Sequence, residues 1–484
     1  MKRGFLLTAK ARREPANPTN PSKSATKKTI NCPNPPKSVQ VSADDMLGHM
    51  SSGIGMSKDE LNKETEKLAS AWGLTDKDLK AMDAVPDEND PGSFKNSAPH
   101  EDDGTWCNVQ VPFPGGWSQC LLSGYMKRRI ETISNFPRPL KETKDKAYVI
   151  SSAPGKGLGM FAARKINMGD LIVDERPLMV VPLAPVGLSA APLPKGMTKE
   201  EMNQAILDHS EGIVRTIFER LNEENQKEFM ALHNSHTHDG SGPTLGVIRT
   251  NGYGLGDALK DETKNVELVA KSNTDEKLKD MVGMYSSVYN VLSRVNHSCS
   301  PNTLRKFYIS SFSMQLRAAR DIEEGEEILT TYTDILLPAA ERGKDLASYG
   351  IQCTCRACLE YIKSDPIRTA VNNRKAVTVP IVQEEGVRPD AWIDPAVQTL
   401  ARIEEEELQG SLAYQKTLYQ LYNAYVCQND EKKALMYGEK LWVASLAAGE
   451  KRLKTFRNAE LMKKSPQWMM SKMMKGIPLL RAFT

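Results

Sequence analysis

The chain has 484 residues, with 64 lysines and arginines against 61 acidic residues, which leaves a net charge of +3. This length predicts more than one domain, and the near-neutral balance gives no reason to expect direct nucleic-acid binding. Hydrophobic residues make up 40% of the chain, enough for packed cores. No apolar run approaches the ~20 residues that a membrane span needs.

The cysteines are too few and too unevenly spaced for a secreted scaffold stapled by disulfides, and no secretory signal pattern stands at the start. They are Cys32, Cys107, Cys120, Cys299, Cys353, Cys355, Cys358 and Cys427. We therefore expect a reducing compartment, where clustered thiols indicate a metal rather than cystines.

The first 145 residues divide into two segments. Residues 1–45 are rich in Pro, Ser, Asn and Lys and are predicted to be a disordered basic arm. The basic start is compatible with a nuclear or cytoplasmic protein, and a mitochondrial transit peptide is the alternative. Residues 46–145 are predicted to form short helices and loops, beginning with the capping-box pattern Ser57–Glu60.

From residue 146 the pattern becomes rich in strands. "AYVISSAPGKGLGMFAARKI" predicts two strands joined by a Gly-rich turn, and "GDLIVDERPLMVV" predicts one more strand. Helical spacing runs from Thr198 to Asn234, and residues 305–332 return to strand-like runs. We predict an α+β domain over residues 146–350 with a helical insertion at about 183–248.

The Gly-rich turn admits three interpretations. A dinucleotide-binding loop is disfavoured, because the third glycine of G-x-G-x-x-G is replaced by Ala162 and a strand follows instead of a helix. A tight turn between strands is the plain interpretation. The third is that the missing Cβ atoms let a ligand lie against the backbone.

Two later stretches carry metal or ligand chemistry. "RVNHSCSPNT", residues 294–303, sets an Asn, a His and a thiol together after an apolar segment. Cys353–Cys358 has the spacing C-x-C-x-x-C, which indicates zinc. A closed zinc site needs a fourth ligand, from Cys299 or one of the four isolated cysteines, whereas three ligands and a water would make a catalytic site.

Four motifs in this order resemble a SET-domain protein lysine methyltransferase of the SMYD-like branch, fungal-type members included. They are "GKGLGMFA", "SRVNHSCSPNT", "GEEILTTYTD" and "YGIQCTCRACLE", and the resemblance covers roughly residues 146–362. "RTNGYGLG", residues 249–256, is similar to the Asn-x-aromatic segment that this branch carries. The resemblance implies a SET fold of small sheets with a knot-like chain crossing, S-adenosylmethionine as cofactor and a zinc-binding post-SET segment at 351–364.

The resemblance also implies roles for individual residues. Tyr332 matches the catalytic tyrosine, and the ligands of a zinc ion would be Cys299, Cys353, Cys355 and Cys358. The cofactor-binding set contains the Gly-rich turn, the Asn–His motif and residues similar to those that line the same site. These are Lys156, Gly157, Leu158, Gly159, Asn251, Arg294, Asn296, His297, Tyr332 and Ile351.

Two features depart from the family pattern. No cysteine occurs between Ile166 and Asn251, so the MYND zinc finger expected inside the SET region of SMYD proteins is predicted to be absent. Ile351 stands where related proteins often have phenylalanine, which would remove an aromatic contact with the cofactor. Separately, the histidine-rich stretch "HNSHTHDGSGP", which starts at His233, is predicted to be a solvated loop rather than a metal site.

Residues 365–484 are predicted to be all helical and tetratricopeptide-like. One stripe holds Leu418, Leu421, Tyr422 and Tyr425, and a second holds Ala434, Leu435, Tyr437 and Leu441. The basic, Met-rich end is predicted to be a docked helix, with a partner-binding or membrane-surface helix as the alternative.

The functional hypothesis is S-adenosylmethionine-dependent methyl transfer to a lysine of a protein, histone or not, by a monomer with no membrane span. The alternative is a non-catalytic SET scaffold that keeps the fold and the zinc. Retention of Tyr332, Asn296 and His297 favours the enzyme, because a scaffold has no need of them.

Overall fold

Small β-sheets organise the computed structural model of this chain. It describes residues 84–85, 100–143, 145–184, 196–261, 281–374, 388 and 390–475. The basic arm and the capping-box helix predicted at Ser57 lie outside these residues. The strands, in chain order, are β1 (Ala84–Val85), β2 (Trp106–Phe113), β3 (Gly116–Ser123), β4 (Tyr148–Ala153), β5 (Gly157–Ala162), β6 (Leu171–Glu175), β7 (Met179–Pro182), β8 (Tyr253–Gly254), β9 (Tyr285–Val288), β10 (Asn296–His297), β11 (Thr303–Tyr308), β12 (Ser313–Ala318), β13 (Glu327–Thr330) and β14 (Arg452–Leu453).

The helices lie between and after these strands. The α-helices are α1 (Gly124–Glu131), α2 (Lys199–Phe218), α3 (Glu223–Met230), α4 (Pro243–Asn251), α5 (Ala339–Ala347), α6 (Arg356–Leu359), α7 (Tyr361–Asn372), α8 (Asp394–Glu405), α9 (Leu412–Cys427), α10 (Glu431–Ala448), α11 (Ala459–Lys463) and α12 (Pro466–Lys475). Short 3-10 helices span Glu101–Gly104, Gly256–Leu259, Leu292–Arg294, Ala391–Ile393 and Lys454–Phe456. Within the described ranges, none of the helices combines the length and the apolar composition required to cross a bilayer.

The sheet that positions the candidate site has the strand order β10-β13-β5-β4. The hairpin β4–β5 confirms the predicted pair of strands around the Gly-rich turn, with Ser151 opposite Gly159. Strand β13 pairs antiparallel with β5, and the two-residue β10 pairs in parallel with β13. This pairing brings the Asn–His motif beside the strand that leads to Tyr332, although the two are more than 30 residues apart in the chain.

Two predictions about strands were incomplete. "GDLIVDERPLMVV" forms two strands, β6 and β7, that belong to different sheets, because the chain turns at Arg176–Pro177, where proline removes a backbone donor. The segment before residue 146 contains the hairpin β2–β3 as well as helix α1, rather than short helices and loops alone. Strand β3 then pairs in parallel with β7, which joins this hairpin to the five-stranded sheet β2-β3-β7-β9-β8.

Helices fill the segment between β7 and β8 that was predicted to be an insertion. Helix α2 begins at a capping box in which Thr198 and Glu201 exchange hydrogen bonds, as its sequence pattern suggests. A turn at residues 219–222 interrupts the continuous helical pattern predicted from Thr198 to Asn234, so that α3 starts at Glu223 with an Asn222 cap. Their apolar faces, with Val214, Ile217 and Phe229, pack into one buried cluster.

The C-terminal region contains the predicted pair of helices. All four residues of the first predicted stripe, on α9, are buried, and α10 packs against them with Tyr425 and Tyr437 stacked. The region is not wholly helical, because β14 pairs with β1. Trp468 of α12 is buried, and its carbonyl accepts a hydrogen bond from Asn429, so this helix is docked as predicted.

Candidate cofactor and metal site

The Gly-rich turn approaches the Asn–His motif closely because its glycines lack Cβ atoms. Gly157 has φ +77°, a left-handed conformation, and no other atom would lie within 4 Å of an added Cβ. At Gly159 an added Cβ would lie 2.9 Å from Glu327 Oε1 and 3.0 Å from Asn296 Nδ2. A side chain at 159 would therefore displace the Glu327 carboxylate and the Asn296 amide from these positions, whereas the backbone at 157 is open to an approaching ligand.

Asn296 is held by two acceptors. Its Nδ2 donates to the Leu158 carbonyl at 3.0 Å and to Glu327 Oε1 at 2.9 Å. The other carboxylate oxygen of Glu327 accepts from Lys156 Nζ at 2.7 Å. Since the amide nitrogen is engaged, the amide oxygen of Asn296 is the atom that can accept a hydrogen bond from a ligand. Glu327 thus connects the predicted cofactor residues Lys156 and Asn296.

A second carboxylate orders the turn before this motif. The side chain of Glu175, at the end of β6, accepts the backbone N–H groups of Asn290, Val291 and Leu292 at 2.8–2.9 Å. Burial of the carboxylate raises the pKa of Glu175 to about 7, against these three hydrogen bonds and the Arg294 charge, which lower it. The sequence pattern of β6 did not indicate this role.

His297 links the candidate cofactor site to the cysteines. Its Nδ1 accepts the backbone N–H of Tyr332 at 3.0 Å, so the neutral ring carries its proton on Nε2. Nε2 lies 3.3 Å from Cys299 Sγ and donates to it. Both ring nitrogens therefore have partners within the protein. Binding of the cofactor by His297 stays a prediction.

Tyr332 lies between two rings. Its centroid is 5.2 Å from that of His297 and 5.3 Å from that of Tyr349, and its hydroxyl donates to the Val295 carbonyl at 2.8 Å. The residue is 6% exposed. Sequence reasoning missed Tyr349, although its place two residues before Ile351 could have marked it as part of the same motif.

Four cysteines converge beneath these rings, as predicted. The sulfur atoms of Cys299, Cys353, Cys355 and Cys358 all lie within 4.8 Å of one another. Cys299 Sγ is 4.0 Å from Cys353 Sγ and 3.5 Å from Cys358 Sγ. A tetrahedral zinc site with bonds of about 2.3 Å places its sulfurs about 3.8 Å apart, so these residues fit a four-thiolate zinc ion. Among the described residues this is the one group with metal-binding geometry.

Hydrogen bonds from neighbouring thiols prepare two of these cysteines for ionisation. Contact with Cys299, and then with Cys353, lowers the pKa of Cys358 to about 6. The pKa of Cys355 is also lowered, first by Cys299 and then by Cys353 and Cys358. Contacts within the same cluster and burial raise the pKa of Cys299 and Cys353, so the protons stay on these two thiols. Metal ligands must be thiolates, so an ion that binds all four sulfurs has to displace those protons.

Three predicted cofactor residues have other partners or surroundings. Asn251, buried at the end of α4, donates to the carbonyls of His233 and Val247. Arg294 contacts Asn290 and Glu228. Ile351 packs half-buried against the cluster of cysteines and tyrosines. Cofactor contacts by these three residues stay predictions.

The histidine-rich loop is partly buried rather than fully solvated. His236 is 6% exposed, and its Nδ1 lies 2.7 Å from Asp239, which also pairs with Arg249. Burial lowers the pKa of His236, with the Arg249 charge acting in the same direction. The prediction of a simple solvated loop was therefore wrong for His236, whose partners are those of a structural residue.

Comparison with known proteins defines the class. Residues 157–333 match the SET domain family, a span that contains the Gly-rich turn, the Asn–His motif and Tyr332. This part of the chain is therefore similar to SET domains, and it contains the small sheets around β5, β10 and β13.

Two curated proteins are similar to part of the chain. It is 30% identical over 212 residues to the histone-lysine N-methyltransferase set5 of Schizosaccharomyces pombe, covering 44% of this chain and 50% of that protein. It is 31% identical over 175 residues to the N-lysine methyltransferase SMYD2-B of Xenopus laevis, covering 32% and 40%. The chain thus spans half or less of the length of these curated relatives. A solved structure, Rubisco LSMT bound to AdoMet, covers 69% of this chain and 89% of its own at 13% identity, with a TM-score of 0.23.

Proposed function

We propose that this protein is an S-adenosylmethionine-dependent protein-lysine N-methyltransferase with a structural zinc ion. The observation that carries the proposal is the pairing of β10 with β13, which sets Asn296 beside the Gly-rich turn and the His297 ring against Tyr332. The turn, the Asn–His motif and the tyrosine come from distant parts of the sequence. A scaffold would have no physical reason to retain all three at one place.

The residues present fit the cofactor. S-adenosylmethionine carries an ammonium group and a sulfonium group, and it supplies the methyl group that is transferred. The open backbone at Gly157 gives a ligand room to approach, and the Asn296 amide oxygen can accept a hydrogen bond from an ammonium group. The carboxylate of Glu327, 17% exposed, adds negative charge beside them.

Tyr332 would serve as a positioning hydroxyl rather than as a strong base. A free lysine titrates near pH 10.4, so a substrate lysine must first lose its proton to become a nucleophile. The buried rings of Tyr332 and Tyr349 offer a poorly solvated surface that disfavours an ammonium group. Holding the amine in line with the methyl donor then contributes much of the rate acceleration.

The names of two relatives and the chemistry of the site support a proposal for the substrate class. The names of the relatives specify histone lysine in one case and lysine without a named protein in the other. We propose a lysine side chain of a folded or extended protein as the acceptor, with a nuclear or cytoplasmic location and a monomeric enzyme.

The test compares Tyr332→Phe with the parent in two assays. Isothermal titration with S-adenosylmethionine should give equal affinities, because the variant keeps the aromatic ring at 332, the Gly-rich turn and the Asn–His motif and loses only one hydroxyl. Methyl transfer from labelled cofactor to proteins of a cell extract should fall by about a hundredfold or more, because the positioning hydroxyl is lost.

Tyr422→Phe is the matched control. Its hydroxyl, like that of Tyr332, is buried and donates to a backbone carbonyl, here that of Thr455, but it lies in the C-terminal helices. This variant should retain parental activity. Cofactor binding without labelling by the parent, or equal labelling by Tyr332→Phe and parent, would contradict the proposal, and absence of cofactor binding would favour the scaffold.

A further inference from the structure

Two arginines are fully buried on either side of the cysteine cluster. Arg342 on α5 and Arg368 on α7 are both 0% exposed and are the largest fully buried side chains of the described residues. In sequence they flank the cysteine triplet, eleven residues before Cys353 and ten after Cys358. A buried guanidinium is costly unless its charge and its donors are matched, so each needs a partner.

Arg342 holds the segment that carries the triplet. Its Nη2 lies 3.6 Å from Cys358 Sγ and 3.3 Å from the carbonyl of Ala357, and its Nη1 donates to the Leu337 carbonyl. A guanidinium keeps its proton at any ordinary pH, so Arg342 places a positive charge next to the Cys358 sulfur.

Arg368 holds the other segment. Its Nη1 donates to the carbonyl of Cys299 at 2.9 Å and also to that of Ile335, while Nη2 donates to the Ser300 hydroxyl at 3.0 Å. The two arginines thus hold the two stretches of chain that supply the cysteines, one arginine to each stretch.

The charges explain why arginine suits these positions. A zinc ion bound by four thiolates carries two net negative charges, which are expensive to bury. Two carboxylates also face the arginines, Asp365 at 3.5 Å from Arg342 and Glu406 at 3.8 Å from Arg368. Loss of either arginine would leave a carboxylate and the thiolate centre without their nearest buried cation.

We infer that Arg342 and Arg368 are positioning residues for the zinc centre, each holding one ligand-bearing segment and offsetting the charge of the metal–thiolate group. This inference rests on the proposed zinc ion. It adds that metal retention depends on two residues that are not ligands, and that helix α7, which begins within the predicted post-SET segment, contributes directly to it.

The experiment measures zinc affinity by competition with a chromogenic chelator. Zinc content of the parent is determined first, and one ion per chain is expected. Arg342→Gln and Arg368→Gln should each weaken zinc binding by about tenfold or more, in the range known for changes to partners of metal ligands. Charge-transfer bands of the cobalt-substituted variants should still indicate four thiolates, because no ligand is changed.

Arg176→Gln is the matched control. Arg176 is also a buried arginine, and its guanidinium donates to the carbonyls of Ser311, Pro112 and Arg138 instead of to the cysteine segments. Its loss should lower the melting temperature while the zinc affinity stays parental. A purely structural role for Arg342 and Arg368 would give the same pattern, and that result would overturn the inference.

The outcomes separate the inference from the zinc proposal. A parent without zinc refutes both. A parent with one zinc, and Gln variants that bind it equally tightly, refutes only the role of the arginines. If a Gln variant does not fold, the rate of zinc loss is measured for Arg342→Lys instead. Lysine keeps the charge but lacks the fork that reaches Cys358 and Leu337, so faster zinc loss than in the parent supports the inference and an equal rate overturns it.

Discussion

Acidic side chains hold one side of strand β10, and buried arginines hold the other. On the side of the Gly-rich turn, the acids Glu327 and Glu175 bind the Asn296 amide and the 290–292 turn. On the cysteine side, Arg342 and Arg368 bind the sulfur of Cys358 and the carbonyl of Cys299. The acidic side suits a cationic cofactor, and the basic side suits an anionic metal centre. On each side the charge of the protein groups is opposite to that of the proposed ligand.

The largest effect is expected on the cysteine side. Cys355→Ser should reduce bound zinc from one ion per chain to almost none, because serine is a poor ligand for zinc. The free energy of unfolding should fall by about 4 kcal/mol or more, since metal binding contributes to folding. Metal analysis and chemical denaturation measure the two quantities.

Cys427→Ser makes the same chemical change at a lone, half-buried cysteine of α9. It should leave the zinc content at the parental value. Full zinc occupancy in Cys355→Ser would show that the four sulfurs do not bind one ion.

On the acidic side, the raised pKa of Glu175 predicts a pH dependence of stability. The folded protein keeps its proton up to about pH 7, whereas the unfolded chain loses it near pH 4.5, so the unfolding free energy falls as the pH rises between these values. The change is at most about 3 kcal/mol.

Glu175→Gln removes the titration while its amide oxygen can replace Oε1, which accepts two of the three N–H groups. The difference in unfolding free energy between parent and variant, measured by denaturation from pH 4 to 8, should therefore change with pH. A constant difference would mean that Glu175 has an ordinary pKa.

A smaller effect is expected for Glu327→Gln. The amide keeps an acceptor for Asn296 but loses the negative charge beside the Gly-rich turn, so the affinity for S-adenosylmethionine should fall by about tenfold. Titration calorimetry measures it, with Glu323→Gln as control, because Glu323 pairs with Lys165 instead. Unchanged affinity would show that the negative charge of Glu327 does not contribute to cofactor binding.

The smallest effect is expected for Lys156→Gln. The ion pair with Glu327 is short, at 2.7 Å, but the lysine is 43% exposed, so its loss should reduce the unfolding free energy by less than about 1 kcal/mol. The difference should shrink further in high salt. A fall of several kcal/mol in the unfolding free energy would show that this ion pair is as strong as a buried one.

Residue types and spacing predicted the parts of the site that depend on local pattern. The β4–β5 hairpin follows from two apolar runs around glycines, and the convergence of Cys299 with the triplet follows from the family motif. The sequence did not reveal Arg342 and Arg368, because a charged residue on an amphipathic helix is normally exposed, and burial depends on distant partners such as the Cys299 carbonyl.

The direction of side chains was the second feature that the sequence did not predict. The ring nitrogens of His297 contact Tyr332 and Cys299. The amide nitrogen of Asn251 donates to two backbone carbonyls. A motif places the Cα atom, whereas the direction of the side chain depends on which donors and acceptors the fold brings near it. The hairpin β2–β3 was missed because of its composition, since Pro112 and the Gly115–Gly116 pair are typical of loops.

The separation between Cys299 and the triplet also has a consequence for synthesis on the ribosome. An ion that joins Cys299 to Cys353 closes a loop of 54 residues, which restricts the denatured chain much as a covalent cross-link does, by about 4 kcal/mol. Cys299 leaves the exit tunnel well before its partners do. Synthesis must therefore proceed past α6, which contains Cys358, before one metal ion can join the two segments.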